Sequence, residues 1–403
     1  IAGLGEVDAA AWDTCAYDAG NPGMTQVPDE EAHPKRQACA PGPQATGNPF
    51  VTHAFLSALE ASASATPRTG WAPQHLLAET ADGKVMGAVP CYLKSHSRGE
   101  YVFDHGWADA YERAGGSYYP KLQVAVPFTP VTGRRLLSRD DDGRRALIAA
   151  LEAVTVQNGL SSAHATFLVE DEVAMFRDAG WLIRQDVQFH WYNRGFADFD
   201  GFLAALSSRK RKAIRKEREA ANAAVDVVML TGQAIREDHW DLVWACYQDT
   251  GARKWGRPYL TREAFRLLGE RLAGRVLLAV AYEKGGEKGG RAPIAMALNL
   301  IGADALYGRY WGALAEVPCL HFELCYYRAI DFAIAHGLAR VEAGAQGPHK
   351  LARGYEPSIT WSAHYIPDTG FRAAVADFLQ RETRAVEQES EWLGERLPFR
   401  KDG

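Results

Sequence analysis

The 403-residue sequence contains no apolar run close to the roughly 20 residues that a membrane-spanning helix needs. Its first residues have neither the basic start nor the apolar stretch of a secretory signal, although the initiator methionine is missing. Only 6 cysteines occur, and none forms a CxxC pair, which is typical of a reducing compartment. We therefore expect a cytoplasmic protein without a transmembrane segment.

Metal-ligand patterns and a basic overall charge are also missing. The 12 histidines show no ligand-type spacing with cysteines or acidic residues, so we expect no metal and no tightly bound cofactor. The net charge is −5 and the isoelectric point is near 6.2. This balance disfavours broad nucleic-acid affinity but permits a local contact with RNA.

The segment 16–47 is rich in proline, glycine, asparagine and charge, and poor in branched apolar residues. This composition predicts a loop insert that is exposed or partly disordered. Cys15 and Cys39 flank or lie within it, and whether they pair is open.

The rest of the chain repeats one order of elements: a meander of strands, a helix, a strand and a final strand. This repetition predicts an α/β (α+β) protein with two tandem domains, 1–195 and 196–403. Each is expected to contain a mixed, largely antiparallel sheet that is flanked by helices.

Three segments near the C-terminus, 306–312, 320–327 and 342–350, combine aromatic and polar residues. They predict a strand, a helix, and a strand that leads into an exposed polar loop. Titratable and polar side chains would then lie at the ends of neighbouring elements. These residues are His321, Glu323, Glu342, Gln346, His349 and Lys350.

Helical spacing separates two candidate bases in this group. His321 and Glu323 point about 200° apart on a regular helix, so one ligand cannot contact both. Glu323 would share its face with Tyr326 and Tyr327, and His321 would share its face with Cys325. Either residue is a candidate for removing a proton, and a buried, hydrogen-bonded histidine is the alternative for His321.

The first half offers a second polar group around the proline-rich segment 118–130. Lys121 and Gln123 are expected beside an open cleft, with Asp104, Trp107 and Tyr111 forming a polar and aromatic wall. The alternative is that these aromatic residues cap the core.

A basic segment, 207–218, is predicted to be a helix that opens the second domain. Arg211, Arg215 and Arg218 fall on one face, which suits a phosphate or a carboxylate. A solvated helix face is the alternative.

A short segment, 253–259, combines cations with aromatic residues around a glycine and a proline. Lys254 and Trp255 could therefore belong to a lid over an anionic or sugar-bearing ligand, or to a latch between the domains.

The C-terminal segments resemble the Fem-like branch of the GNAT acyltransferase superfamily, whose members are described as peptidoglycan biosynthesis or recognition proteins. The likeness extends to the segments 48–56, 103–111, 118–130, 187–191, 207–215 and 253–259. It implies two GNAT-like domains and an N-acyltransferase. Fem-type enzymes use a lysine in about this part of the second domain to stabilise an oxyanion, so the resemblance assigns that role to Lys350, with help from Arg353. Pocket residues expected from it are Asn299, Arg309, Tyr310 and Trp311.

The segment before the second-half helix bears on the identity of the acyl donor. GNAT enzymes that use acetyl-CoA bind its pyrophosphate with a glycine-containing loop before a helix. The matching segment, 312–320, lacks those glycines and contains Glu316. The sequence therefore favours aminoacyl-tRNA or an unusual acyl-CoA-type thioester as donor, and a small-molecule or peptide amine, such as a peptidoglycan precursor, as acceptor.

Two alternatives remain: a non-catalytic protein that recognises a cell-wall precursor or tRNA, and an RNA-binding module built on the basic helix. The oligomeric state is open.

Overall fold

A computed structural model describes residues 1–17, 47–254, 258–284, 292–344 and 347–400. The side chains of residues 252–254 and 348 are outside the description. Most of the predicted insert at 16–47, Cys39, Trp255 and Gln346 therefore lie outside the described residues, and so does the side chain of Lys254.

The first half begins with two helices and then alternates short strands with helices. Its helices are α1 (Ala9–Tyr17), α2 (His53–Ala61), α3 (His105–Arg113), α4 (Asp141–Gln157) and α5 (Glu170–Asp178). Its strands are β1 (Trp71–Pro73), β2 (Leu76–Glu79), β3 (Val85–Val89), β4 (Cys91–Lys94), β5 (Lys121–Val124), β6 (Leu137–Ser138), β7 (Ala163–Leu168) and β8 (Leu182–Tyr192). Side-chain caps define the helix starts, because Thr52 accepts a hydrogen bond from Phe55 N and Asp140 from Gly143 N.

The second half contains longer strands. They are β9 (Val225–Thr231), β10 (Val276–Glu283), β11 (Pro293–Ile301), β12 (Ala305–Ala313), β13 (Arg340–Glu342) and β14 (Glu356–Tyr365). Its helices are α6 (Phe199–Ala205), α7 (Ser208–Ala224), α8 (Glu237–Lys254), α9 (Arg262–Arg271), α10 (Leu320–Phe322), α11 (Arg328–Ala335) and α12 (Thr369–Gly394). A π-helical turn, Glu323–Tyr327, joins α10 to α11, and a 3₁₀ turn, Pro348–Arg353, precedes β14.

Both halves contribute to one sheet, which has 11 strands within the described residues. Its order is β1-β4-β5-β7-β14-β8-β13-β12-β11-β10-β9. The last strand of each half has crossed to the other half, because β14 lies beside β7 while β8 lies beside β13. The two exchanged strands pair with each other from Glu356↔His190 to His364↔Leu182. The halves are therefore joined edge to edge, and a domain boundary at residue 195 stays a prediction.

Helices cover both faces of this sheet. Along β10, Leu278 packs against α8 and α9 on one face of the sheet. The preceding residue, Leu277, packs against α11 on the other face. Such alternation is what a strand with two buried faces requires. Glycine allows close packing here, since a Cβ at Gly312 would lie 2.5 Å from Cys246 Cβ in α8. Among the described residues, no helix is both long and apolar enough to cross a membrane.

Candidate active site

The site is built where two parallel strands separate. β12 and β13 pair from Ala305↔Arg340 to Tyr307↔Glu342 and then diverge. β12 is irregular at the same level, because the register with β11 shifts between Leu298 and Asn299. Beyond Glu342, Gly344 has a φ of 78°, in the left-handed region that favours glycine. The chain turns away from β12 at this point.

A cavity of about 100 Å³ occupies the gap. Strand β12 contributes Gly308, Arg309, Tyr310 and Trp311 to its lining, and β11 contributes Asn299. The structure thus brings four residues proposed from the sequence to one place. Arg309 donates a hydrogen bond to Phe128 O at 2.6 Å, which ties this wall to the first half.

The helix after β12 supplies the opposite wall through His321, Cys325 and Tyr326. His321 and Tyr326 are five residues apart and their ring centroids are 5.3 Å apart. A regular helix would place Tyr326 with Glu323, but the π turn inserts one residue and changes the phase of the helix. The predicted face assignment of Tyr326 is therefore wrong. The tyrosine hydroxyl lies 2.8 Å from His349 Nε2.

Lys350 is almost fully buried and contacts the cavity lining through Gly344. Its ammonium donates a hydrogen bond to Gly344 O at 2.7 Å. Burial lowers the pKa of Lys350 to about 8, against the opposing effect of the Cys325 thiolate. The predicted exposure of this loop does not extend to Lys350, because its aliphatic stem and amine are turned inward.

Arg353 holds the turn that carries Lys350. Its guanidinium donates to both carboxylate oxygens of Glu217 in α7 at 2.9 Å and to His349 O at 2.9 Å. It also lies 3.4 Å from the ring centroid of Phe322. With these partners, Arg353 is better placed to position His349 and Lys350 than to contact a substrate.

Glu323 is directed away from the cavity. Its buried carboxylate accepts hydrogen bonds from Arg218 at 3.1 and 3.2 Å and forms an ion pair with Arg328 at 2.8 Å. Both guanidiniums occupy this carboxylate, and Glu323 does not line the cavity, so it is not placed to take a proton from an amine bound there. His321 lines the cavity and is the remaining candidate base.

Glu342 and His190 form a second buried group behind the strand. Glu342 accepts a hydrogen bond from Arg340 at 2.9 Å, and its other oxygen lies 3.8 Å from His190 Nε2. Burial lowers the pKa of His190, and the Glu342 carboxylate opposes that shift. Sequence reasoning missed His190, although it belongs to the quoted segment 187–191. Its place beside Glu342 depends on the strand exchange that pairs β8 with β13.

The polar residues proposed in the first half form a buried network instead of an open cleft. The Lys121 ammonium donates to Asp104, to Glu100 at 2.7 Å and to Ser97 at 2.8 Å. Gln123 is fully buried and donates to Thr166 at 3.3 Å. The predicted open cleft is wrong, because the Lys121 ammonium and the carboxylates of Asp104 and Glu100 form ion pairs inside the core.

The aromatic wall of the first half also belongs to the core. Tyr111 stacks on Phe371 of α12 at a centroid distance of 4.4 Å. Trp107 packs against His364 at 4.9 Å. These rings cap the core, as the alternative interpretation of the sequence proposed.

Arg135 fills the equivalent gap of the first half, where β5 and β7 separate. Its guanidinium is fully buried and donates to Val131 O at 2.8 Å and to Thr166 O and Gly133 O at 3.0 Å. In the first half, the side chain of Arg135 therefore fills the gap, whereas the corresponding gap in the second half is open.

The basic helix α7 has an anchored end and an exposed end. Arg218 turns inward to Glu323 and Asp331, so the predicted face of three arginines is reduced to two. Arg215 pairs with Asp200 at 3.0 Å on the surface. Arg211 is partly exposed, and no ion pair to it occurs within the described residues.

Beyond α8, Tyr259 stacks on Phe128 at a ring-centroid distance of 5.1 Å. This contact between the halves fits the predicted latch.

A comparison with protein families gives a match over residues 3–401 to the family described as FemAB-like, peptidoglycan biosynthesis/recognition. The chain belongs to this family. The resemblance noted from the sequence is thereby confirmed. A comparison with curated proteins gives no significant match.

A comparison with solved structures gives matches of low sequence identity. The crystal structure of FemX has a TM-score of 0.50 and 11% identity, covering 78% of this chain and 92% of FemX. L-PGS from Bacillus licheniformis has a TM-score of 0.48 and 10% identity, covering 80% and 95% of the two chains. A tandem GNAT protein from the clavulanic acid biosynthesis pathway has a TM-score of 0.41 and 14% identity, covering 81% and 90%. The predicted α/β class, with mixed sheet and flanking helices, is confirmed.

Within the described part of the chain, no group of three or more histidine, cysteine, aspartate or glutamate side chains could hold a metal ion.

Proposed function

We propose that the chain is an N-acyltransferase that moves an aminoacyl group from an activated ester to the amine of a peptidoglycan-precursor-like acceptor. The observation that carries this proposal is the gap between β12 and β13, with His321 in its lining and the buried Lys350 hydrogen-bonded to Gly344, which also lines it. Membership of the FemAB-like family supports the acceptor class.

The side chains at the gap match the needs of acyl transfer. A tetrahedral intermediate carries negative charge on the former carbonyl oxygen, and a buried ammonium such as that of Lys350 stabilises it strongly where water is scarce. The attacking amine must lose a proton, for which an imidazole is the best-suited neutral base. We assign this role to His321, whose ring contacts the aromatic side chains of Trp311 and Tyr326.

The approach to the gap favours a nucleic-acid ester over acyl-CoA. The segment before α10 contains the exposed carboxylate of Glu316, which would repel a pyrophosphate. The exposed start of α7 instead presents Arg209, Arg211 and Lys212, which suit a phosphate backbone. We propose that Arg211 contacts the donor's phosphates.

The test uses the purified full chain with two radiolabelled donors, a pool of aminoacyl-tRNA and acetyl-CoA. Each donor is incubated with a muramyl peptide that carries a free side-chain amine, and amide formation is measured. Label should pass from aminoacyl-tRNA to the peptide and be lost in Lys350→Ala. Transfer from acetyl-CoA would replace the proposed donor. Binding of the peptide without transfer from either donor would favour the recognition protein and contradict the enzyme.

A further inference from the structure

Tyr326 links the cavity to the protein surface through His349. The tyrosine is buried and lines the cavity, and its hydroxyl lies 2.8 Å from His349 Nε2. His349 is exposed to solvent, although it directly precedes the buried Lys350. A hydrogen-bonded pair with one member at a cavity and the other in water provides a route along which a proton can leave that cavity.

Neighbouring groups fix both rings of this pair. The Tyr326 ring packs edge-on against Tyr355 at a centroid distance of 5.4 Å. Arg353 donates a hydrogen bond to His349 O at 2.9 Å. Gly347 has a φ of 122° and lies beside the imidazole, since a Cβ at this glycine would be 2.5 Å from His349 Cε1. These contacts hold the imidazole within reach of the Tyr326 hydroxyl.

The proposed reaction releases a proton for which His321 and the leaving group do not account. An alkyl amine is an ammonium ion at neutral pH, and it must lose two protons to become an amide nitrogen with one hydrogen. One of these protons can pass through His321 to the departing hydroxyl oxygen of the donor ester. The other must pass from the cavity to water before the nitrogen attacks, because an ammonium ion has no free electron pair.

We infer that Tyr326 and His349 form a proton relay, which carries the first proton from the bound acceptor ammonium to solvent. The inference rests on the proposed function. In this step the ammonium N–H bond breaks and its proton bonds to Tyr326 Oη, while the proton of Tyr326 bonds to His349 Nε2. Water then removes a proton from the exposed imidazole. The freed nitrogen bonds to the acyl carbon, the carbon–oxygen bond to the donor breaks, and His321 moves the second proton to the departing oxygen.

The two members of the relay have different tasks. Burial raises the pKa of the Tyr326 hydroxyl, an effect that Cys325 reinforces and Arg353 opposes, so the tyrosine passes one proton on as it takes another and does not ionise first. A tyrosine that donates to His349 Nε2 requires a neutral imidazole whose proton is on Nδ1. Tyr326 would contact the substrate, and His349 acts through Tyr326.

The first experiment compares two acceptors that differ in the charge of the attacking nitrogen, with radiolabelled aminoacyl-tRNA as donor. One is the muramyl peptide with its side-chain amine. The other carries at the same position an aminooxy group, which is neutral at pH 7 and has no first proton to lose. At this pH, His349→Gln should lower kcat/KM for the amine about a hundredfold and leave kcat/KM for the aminooxy acceptor within about threefold of the parent. The matched control is His336→Gln, which changes another exposed histidine and should alter neither value.

The second experiment asks whether the two residues act as one unit. Tyr326→Phe removes the hydroxyl, keeps the ring and should show the same selective loss with the amine acceptor. The double variant with His349→Gln should lose no more than either single variant, because a relay is broken only once. Added imidazole should restore the amine activity of His349→Ala at least about tenfold, since solvent reaches this position, and should not restore that of Tyr326→Phe.

The outcomes separate the inference from the proposed function. If His349→Gln lowers transfer to both acceptors equally, or to neither, the relay is excluded and the acyltransferase stands. If the parent transfers label to neither acceptor, from aminoacyl-tRNA or from acetyl-CoA, the acyltransferase itself is contradicted and the relay falls with it. Thermal unfolding of each variant checks that the fold is retained, and His349→Gln decides the question if Tyr326→Phe does not fold.

Discussion

The Nδ1 atoms of His164 and His364 lie 2.6 Å apart, at directly opposed positions of β7 and β14. A hydrogen bond between two imidazole nitrogens requires that one of them carries the proton and the other does not. Each half of the chain supplies one ring, so the pair joins the exchanged strand β14 to the first half. Both rings are buried. The charged groups that act on them are Asp104, Lys121 and Arg184.

This pair should make stability depend on pH. Burial lowers the pKa of His164 to about 3 and that of His364 well below its ordinary value. The unfolded chain, with histidine pKa values near 6.5, therefore binds more protons at acidic pH, and stability falls as the pH drops below about 6.5. Between pH 7 and pH 5, the parent should lose up to about 2 kcal/mol more than His164→Gln, measured by urea unfolding.

Comparing the pH dependence of the unfolding free energy in the parent and in His164→Gln isolates the contribution of the histidine. Glu100 and Lys94 also have shifted pKa values, but they contribute equally to both proteins. The control is His336→Gln, on the surface at the end of α11. Parallel pH profiles for the parent and His164→Gln would show that the pair does not couple to folding.

Lys350 should control the alkaline limit of transfer. Burial lowers the pKa of Lys350 to about 8, and only the protonated form can stabilise an oxyanion. The kcat/KM should therefore fall as the pH rises through about 8. Lys350→Arg should retain activity at higher pH, because a guanidinium stays charged. Lys350→Ala should be about a hundredfold less active than the parent below pH 8, and this difference should shrink above pH 8, where the parent also loses the charge. A rise in rate through pH 8 would identify neutral Lys350 as a base instead.

Glu323 should matter for stability more than for chemistry. Glu323→Gln leaves Arg218 and Arg328 without their shared carboxylate and should cost about 3 kcal/mol of unfolding free energy. Asp200→Asn is the control, because it removes an exposed pair with Arg215 that is worth less than about 1 kcal/mol. At a temperature where both variants stay folded, kcat of Glu323→Gln should remain within about tenfold of the parent. A larger loss of kcat with unchanged stability would return Glu323 to the mechanism.

The exposed start of α7 should contribute to donor binding through charge. Arg211→Glu should raise the KM for aminoacyl-tRNA and make it less dependent on salt, because one phosphate contact is lost. Arg145→Glu, which changes an exposed arginine on α4 in the first half, is the control for net charge. Equal KM values and equal salt slopes for the two variants would show that α7 is a solvated face.

The element types followed from local patterns. The repeated order of strands and helices predicted an α/β protein, and the segments around Trp311, His321 and Lys350 pointed to the ends of neighbouring elements. The side-chain partners did not follow. Glu323 appeared to be a good base from its position beside two tyrosines, whereas the structure pairs it with Arg218, which is 105 residues away in the chain.

The sequence by itself determined the α/β class, the repeated order of elements and the family, because these depend on periodicity and on motifs within short segments. Tertiary structure alone decided three features of the site: the π turn that brings Cys325 and Tyr326 to the cavity, the exchange of β8 and β14 that brings His190 to Glu342, and the closure of the first-half gap by Arg135. The physical reason is common to all three. Burial in a low-dielectric interior requires each charge and each polar backbone group to find a partner, and the available partners are set by packing between distant segments.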